Sequence, residues 1–196
     1  DLNEFRLKKT LKDLMFQSKL PLALPTMQSK LFIDDDTTKQ EMLQYAIGQG
    51  DTLMTPMHMN LITQAIANDG ILMEPMILDK VINNRGIMVK DFKTEEFKQL
   101  MTTEETAILK EFMKEVVDSG TAKGLQSELY NAAGKTGSAE FMESSKDSHA
   151  WFTGFAPYDK PQICVTVLVE GGGSGSRTAV PIAKKILDVY FERLAY

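Results

Sequence analysis

Ala133-Gly134-Lys135-Thr136-Gly137-Ser138-Ala139-Glu140 sets one lysine and one threonine among glycines and small residues. A Gly-Lys-Thr string first suggests a phosphate-binding loop. That motif needs a glycine at position 129, and Leu129 stands there. On a strand the same residues serve a different chemistry. Lys135 and Thr136 place a cation and a hydroxyl at the edge of one groove, where together they can hold a carboxylate. Gly137 removes a side chain where a peptide has to approach the backbone. The backbone N–H of Ser138 can then point at a developing oxyanion. A three-residue string is common by chance, so its surroundings decide what it means.

After this stretch, residues 150–156 and 162–170 read as strands, joined by the turn Pro157-Tyr158-Asp159-Lys160-Pro161. In the second, Ile163, Val165, Val167 and Val169 alternate with Cys164, Thr166 and Leu168, so neither face is strongly polar and both are expected to be covered. A last helix is expected from about 178, with Ile182, Ile186, Val189 and Tyr190 as its buried stripe. Between them Gly172 and Ser174 begin a Gly-x-Ser-x-Gly pattern, but position 176 is Ser176, so a nucleophile elbow is rejected in favour of a loop.

Before it, a helix is expected over 103–118, with Thr102 and Glu105 at capping-box spacing. A hairpin is expected over 77–90 around Asn83-Asn84-Arg85-Gly86. Another helix covers 55–68, with Thr55 as N-cap, Pro56 at the first position and Asn68-Asp69-Gly70 as its stop. The first helix spans 4–16, and Pro21 and Pro25 force extended chain after it. Asp34-Asp35-Asp36 reads as a solvated loop or a helix N-terminus. This order gives an α/β chain of the α+β type, an antiparallel sheet flanked by helices, in a single domain over 1–196.

Composition narrows the function. Twenty-two basic residues against 27 acidic ones give −5, which argues against a nucleic-acid partner. One cysteine and two histidines leave little for a metal site, and no cofactor or metal is expected. No apolar run approaches a membrane span. Cys164 reads as inert and buried, His58 as packing or surface, His149 as a surface or loop residue, and the twelve methionines as core filler. Trp151 and Phe152 point to opposite faces of their strand, so at most one lines a groove.

Six segments stand in a fixed order along the chain. These are Tyr45-Ala46-Ile47-Gly48-Gln49-Gly50-Asp51 with Thr55-Pro56, Ala67-Asn68-Asp69-Gly70 followed by Pro75, and Ser119-Gly120-Thr121-Ala122. Gly134-Lys135-Thr136-Gly137-Ser138-Ala139-Glu140, Ala150-Trp151-Phe152-Thr153-Gly154-Phe155-Ala156-Pro157, and Gly172-Gly173-Ser174-Gly175 with Pro181-Ile182-Ala183 complete the set. In that order they resemble the transpeptidase domain of class B penicillin-binding proteins, a family within the penicillin-binding and serine β-lactamase-like superfamily, and the resemblance runs from about residue 20 to the end. Six ordered matches are far more specific than Lys-Thr-Gly alone.

The resemblance implies a peptidoglycan D,D-transpeptidase working through an acyl-serine, with D-Ala-D-Ala stem peptides and β-lactam antibiotics as partners. It implies that Lys135 supplies positive potential, Thr136 binds the terminal carboxylate, Gly137 permits docking, and Ser138 gives its N–H to the oxyanion hole. Lys135 and Ser138 are thus the catalytic candidates, and all four residues bind substrate. It also implies a parent anchored in the bacterial plasma membrane and acting on its outer face. The chain departs from the family in one respect: no serine has a lysine three residues on, and no Ser-x-Asn occurs. The nucleophile is therefore expected to precede this chain, which then forms the C-terminal portion of the domain. A D,D-carboxypeptidase or β-lactamase-like hydrolase, and a non-catalytic binding module, are the alternatives. The strand at 162–170 would then present a bare edge, from which self-association is expected.

Overall fold

The structure, a computed structural model, describes residues 4–34, 36–140 and 148–194. In chain order the elements are α1 (Glu4–Asp13), α2 (Lys39–Ala46), α3 (Pro56–Ala67), β1 (Ile71–Met73), β2 (Lys80–Ile82), β3 (Met88–Asp91), β4 (Glu96–Gln99) and α4 (Thr103–Asp118). A short 3-10 turn (Lys123–Leu125) leads to β5 (Ala133–Glu140), β6 (Ser148–Ala156) and β7 (Ile163–Val169). A π-type turn (Gly175–Ala179) then enters α5 (Val180–Leu194).

β5, β6 and β7 form one antiparallel sheet in that order. Its two faces are packed differently. On one side Phe152, Ala150, Val165 and Val167 meet Val180, Ala183 and Leu187 of α5, with Val117 and Leu125 completing that core. On the other side α3 crosses β6 and β7, where Thr63 meets Thr153 and Asn60 meets Thr166 and Cys164. β7 is therefore covered on both faces, as its two apolar rows require, while its outer edge carries no partner strand among the described residues. Cys164 lies on the α3 side, where burial pushes its thiol up to about 12, which fits an inert role.

The caps explain the helix starts. Thr55 accepts from the His58 N–H, with Pro56 at the first helical position. Thr102 and Glu105 close the reciprocal capping box of α4. Thr38 and Glu41 do the same for α2, a helix that is not among those expected from the sequence. The acidic run before it is a turn: Asp34 accepts from the Asp36 N–H and the Thr37 hydroxyl, while Asp35 lies outside the described residues. At the end of α3 the chain turns through Gly70 at φ +93°, where a Cβ would stand 2.0 Å from the Met101 carbonyl oxygen.

Three expectations need correction. α1 stops at Asp13, because Met15 and Gln17 adopt left-handed backbone (φ 71° and 59°) that turns Met15 and Phe16 into two separate cores. The buried stripe of α5 is Val180, Ala183 and Leu187, whereas Ile182, Ile186 and Val189 are 41–47% exposed. That helix is apolar on two sides, so periodicity does not choose between them. The small Ala183 lets its own side approach the sheet closely. The methionines divide between core (Met15, Met42, Met113) and surface (Met27, Met57, Met76, Met88). The expected hairpin forms as β2 and β3, and a second small sheet pairs β1 with β4.

Candidate functional site

Hydrogen bonding beyond the sheet shows which way each rung points. Gln162 N–H donates to Ala156 O at 2.9 Å and Gly173 N–H donates to Ser148 O at 2.8 Å, so even-numbered residues of β6 turn toward β7. Odd-numbered residues of β6 then bond β5, where His149, Trp151 and Thr153 stand opposite Ala139, Gly137 and Lys135. It follows that Gly134, Thr136, Ser138 and Glu140 direct their N–H and C=O groups to the outer edge of β5. Two side chains bear this out. Lys135 Nζ donates to Thr136 O at 2.6 Å, and Gln49 Nε2 donates to Ser138 O at 3.3 Å.

α4 covers only the first half of that edge, with Met113 against Ala133. Beyond its end the Thr121 hydroxyl meets the Thr136 hydroxyl at 2.5 Å. From Thr136 onward no strand pairs with the outer edge among the described residues. The result is a short run of unpaired backbone with a lysine, two hydroxyls and a glycine along it.

Side chains alternate across this run. Thr136 and Ser138 share the α5 side, where Gly175 N–H donates to Ser138 Oγ at 3.3 Å. A Cβ on Gly175 would lie 2.4 Å from the carbonyl oxygens of both Gly137 and Trp151, so this loop touches the sheet through bare backbone. Lys135 and Gly137 share the opposite side. A Cβ on Gly137 would lie 3.2 Å from the Trp151 Cβ, so the glycine leaves room beside that ring. Of the two strand aromatics, Phe152 is fully buried and Trp151 lies partly open on the Lys135 side. His149 sits at the start of β6 and accepts the Gly171 N–H at Nδ1, 3.1 Å away. His58 is far inside: its rings pack on Phe16, and its nitrogens meet Ser29 Oγ and Leu14 O, each at 2.7 Å.

All four residues singled out from sequence thus lie on β5, Thr136 and Ser138 with their backbone directed outward and Lys135 and Gly137 with theirs bonded to β6. Thr121 and Gln49 also reach β5, across 15 and 89 residues of chain. Both belong to segments noted for their resemblance, but nothing in their spacing says which atoms they touch. Among the described residues no cluster of metal-ligating side chains occurs and no helix is long and apolar enough to cross a membrane.

The family model of the penicillin binding protein transpeptidase domain matches residues 1–188. The chain belongs to that family. The match takes in residues 1–19, which the resemblance of individual segments had left out. A peptidoglycan D,D-transpeptidase MrdA of Acinetobacter baumannii is 30% identical over 165 residues, 78% of this chain and 24% of the relative. The crystal structure of the D,D-transpeptidase domain of a peptidoglycan glycosyltransferase from Eggerthella lenta aligns with a TM-score of 0.87 at 25% identity, over 98% of this chain and 49% of that one. Penicillin-binding protein A of M. tuberculosis, as its penicillin G acyl-enzyme complex, aligns with a TM-score of 0.79 at 26% identity, over 91% and 41%. The chain therefore spans about a quarter of that curated relative and half or less of those structures.

Proposed function

We propose that this chain is the substrate-binding wall of a peptidoglycan D,D-transpeptidase, as a single C-terminal portion of the domain over 1–196. The observation that carries the reading is the outer edge of β5 from Thr136 to Glu140, which no strand pairs among the described residues, with the Ser138 N–H and C=O directed outward. A D-Ala-D-Ala peptide adds to it as an extra antiparallel strand. In an antiparallel ladder a hydrogen-bonded residue pair exchanges both bonds. The penultimate D-Ala therefore offers its carbonyl to the Ser138 N–H and its own N–H to the Ser138 C=O. Its scissile carbonyl is then in place for polarisation, and Gly137 keeps the approach clear. The terminal carboxylate falls at Thr136, whose hydroxyl donates to it while Thr121 donates to Thr136. Lys135 raises the positive potential of the edge.

The chemical step needs a serine hydroxyl outside this set, because no Ser-x-x-Lys occurs in the 196 residues. That serine oxygen attacks the penultimate carbonyl carbon and the C–N bond to the last residue breaks. D-alanine leaves carrying the proton, and the acyl group passes to an amine. A β-lactam acylates the same serine by opening its ring amide. The site acts on the outer face of the plasma membrane, where its substrate lies. By themselves the 196 residues bind but do not acylate. Incubation with a labelled penicillin followed by intact-mass measurement tests this. No adduct is expected, and a stoichiometric adduct on any serine of this chain overturns the reading that the acylated serine lies outside these 196 residues.

A further inference from the structure

The acceptor that the incoming strand needs is already in use. Gln49 Nε2 donates to Ser138 O at 3.3 Å, on the edge where no strand pairs among the described residues. An added strand lies about 4.8 Å from its neighbour, so a carboxamide in contact with that carbonyl stands in the space of the new backbone. We propose that Gln49 is a built-in competitor of the donor peptide: it fills the Ser138 rung in the free protein and leaves it when the peptide N–H arrives.

The segment that carries Gln49 is a tight glycine turn. Gly48 and Gly50 flank it, both at φ +76°, a region that glycine enters without strain. A Cβ at Gly48 would meet nothing within 4 Å, so its neighbourhood is open. The root of the segment is fixed. Gly48 N–H donates to Tyr45 O at 3.0 Å and Gln49 N–H donates to Gln44 O at 2.9 Å, which ties the backbone to the end of α2. Tyr45 is buried and its hydroxyl donates to Phe32 O at 3.3 Å. The carboxamide can therefore swing while its backbone stays anchored. The exchange of one donor for another at Ser138 keeps the carbonyl satisfied throughout, as a group leaving water requires. The device favours ligands that bring an N–H to this rung over those that bring none.

This inference rests on the strand-addition reading above, and one titration separates the two. Uniformly ¹⁵N-labelled chain, wild type and Gln49→Ala, is titrated with an N-acyl-D-Ala-D-Ala peptide and followed through backbone and glutamine side-chain amides. In the wild type the Thr136 and Ser138 amides shift and the Gln49 side-chain amide moves to the position of a solvated glutamine. Gln49→Ala binds the peptide about two- to tenfold more tightly, the worth of one ordinary hydrogen bond removed from the free state. Gln49→Met, of similar length and without a donor, tightens binding in the same way and guards against a collapsed loop in the alanine variant. Binding with the Gln49 amide unmoved, or with both variants unchanged or weakened, overturns this inference and leaves strand addition standing. No shift at Thr136 and Ser138 in the wild type overturns both.

Discussion

Replacing Thr63 by valine is expected to destabilise the fold more than replacing Thr166, although both hydroxyls belong to one chain of hydrogen bonds. The chain joins α3 to the sheet behind Lys135. Thr63 donates to Met59 O at 2.9 Å, which fixes the direction of every hydroxyl after it. Thr153 must donate to Thr63 and Thr166 to Thr153, both at 2.7 Å, and Asn60 Nδ2 donates to Thr166 at 3.2 Å. Each substitution therefore orphans a different donor. Thr63→Val strands the Thr153 hydroxyl, on a residue only 9% exposed, and costs about 2–3 kcal/mol. Thr153→Val strands the half-buried Thr166 hydroxyl at about 1.5–2.5 kcal/mol. Thr166→Val strands only one amide hydrogen of Asn60, which still reaches Cys164 Sγ at 3.6 Å, and costs about 0.5–1 kcal/mol. Valine keeps the shape and β-branching of threonine, so packing and propensity are held nearly constant. For a chain of this size, 2–3 kcal/mol lowers the melting temperature by about 5–10 °C. Chemical denaturation of the three variants at matched slope measures the order. Equal losses, or Thr166→Val as the worst, would refute the assigned direction of the chain.

Other consequences are checked as simply. In a protein that also supplies the serine, Lys135→Ala slows penicillin acylation about 10²–10³-fold with the fold intact, as loss of about 3–4 kcal/mol of charge stabilisation demands; an unchanged rate removes Lys135 from the chemistry. The outer edge of β7, unpaired among the described residues, is expected to drive self-association at high concentration, and Leu168→Lys to reduce it. Light scattering that shows a monomer insensitive to that change contradicts the idea. Leu168 is the place for the charge because its backbone faces the outer edge, whereas Val167 is 8% exposed inside the α5 core. Burial holds His58 below its ordinary range. Stability is therefore full above the unfolded histidine value, about 6.5, and falls as pH drops below it, since the unfolded chain then takes up the proton more readily. The denaturation midpoint is expected to lose part of this acid dependence in His58→Gln, and an identical pH profile would count against it.

Much of the architecture was written in local chemistry. Thr55-Pro56, Thr102 with Glu105, and Asn68-Asp69-Gly70 each name a helix end through atoms only a few residues apart. The double apolar row of β7 required cover on both faces and received it from α3 and α5. Most of what escaped depended on distance, although α2 did not: Thr38 and Glu41 stand at the same capping-box spacing as Thr102 and Glu105. β4 (Glu96–Gln99) is exposed along its whole length and carries no alternation, so only its pairing with β1 reveals it. α5 offered two apolar sides, and the choice of Ala183 over Ile182 was made by how closely the helix could approach Phe152. At the site, Lys135 to Ser138 were legible as a strand edge because their chemistry is contiguous. Thr121 and Gln49 were not, because a hydroxyl or an amide in a loop does not show which carbonyl or hydroxyl it will meet until the chain has folded.

In the proposed complex a D-Ala-D-Ala peptide lies along the outer edge of β5 with its carboxylate at Thr136. Titration of the chain with N-acyl-D-Ala-D-Ala and with the same peptide bearing a C-terminal amide, each against wild type and Thr136→Val, measures it directly. Wild type is expected to prefer the carboxylate, Thr136→Val to weaken the carboxylate form about tenfold, the worth of a hydrogen bond to a charged group, and the amide form to be nearly indifferent to the change. Equal losses for both peptides, or none for either, would contradict it.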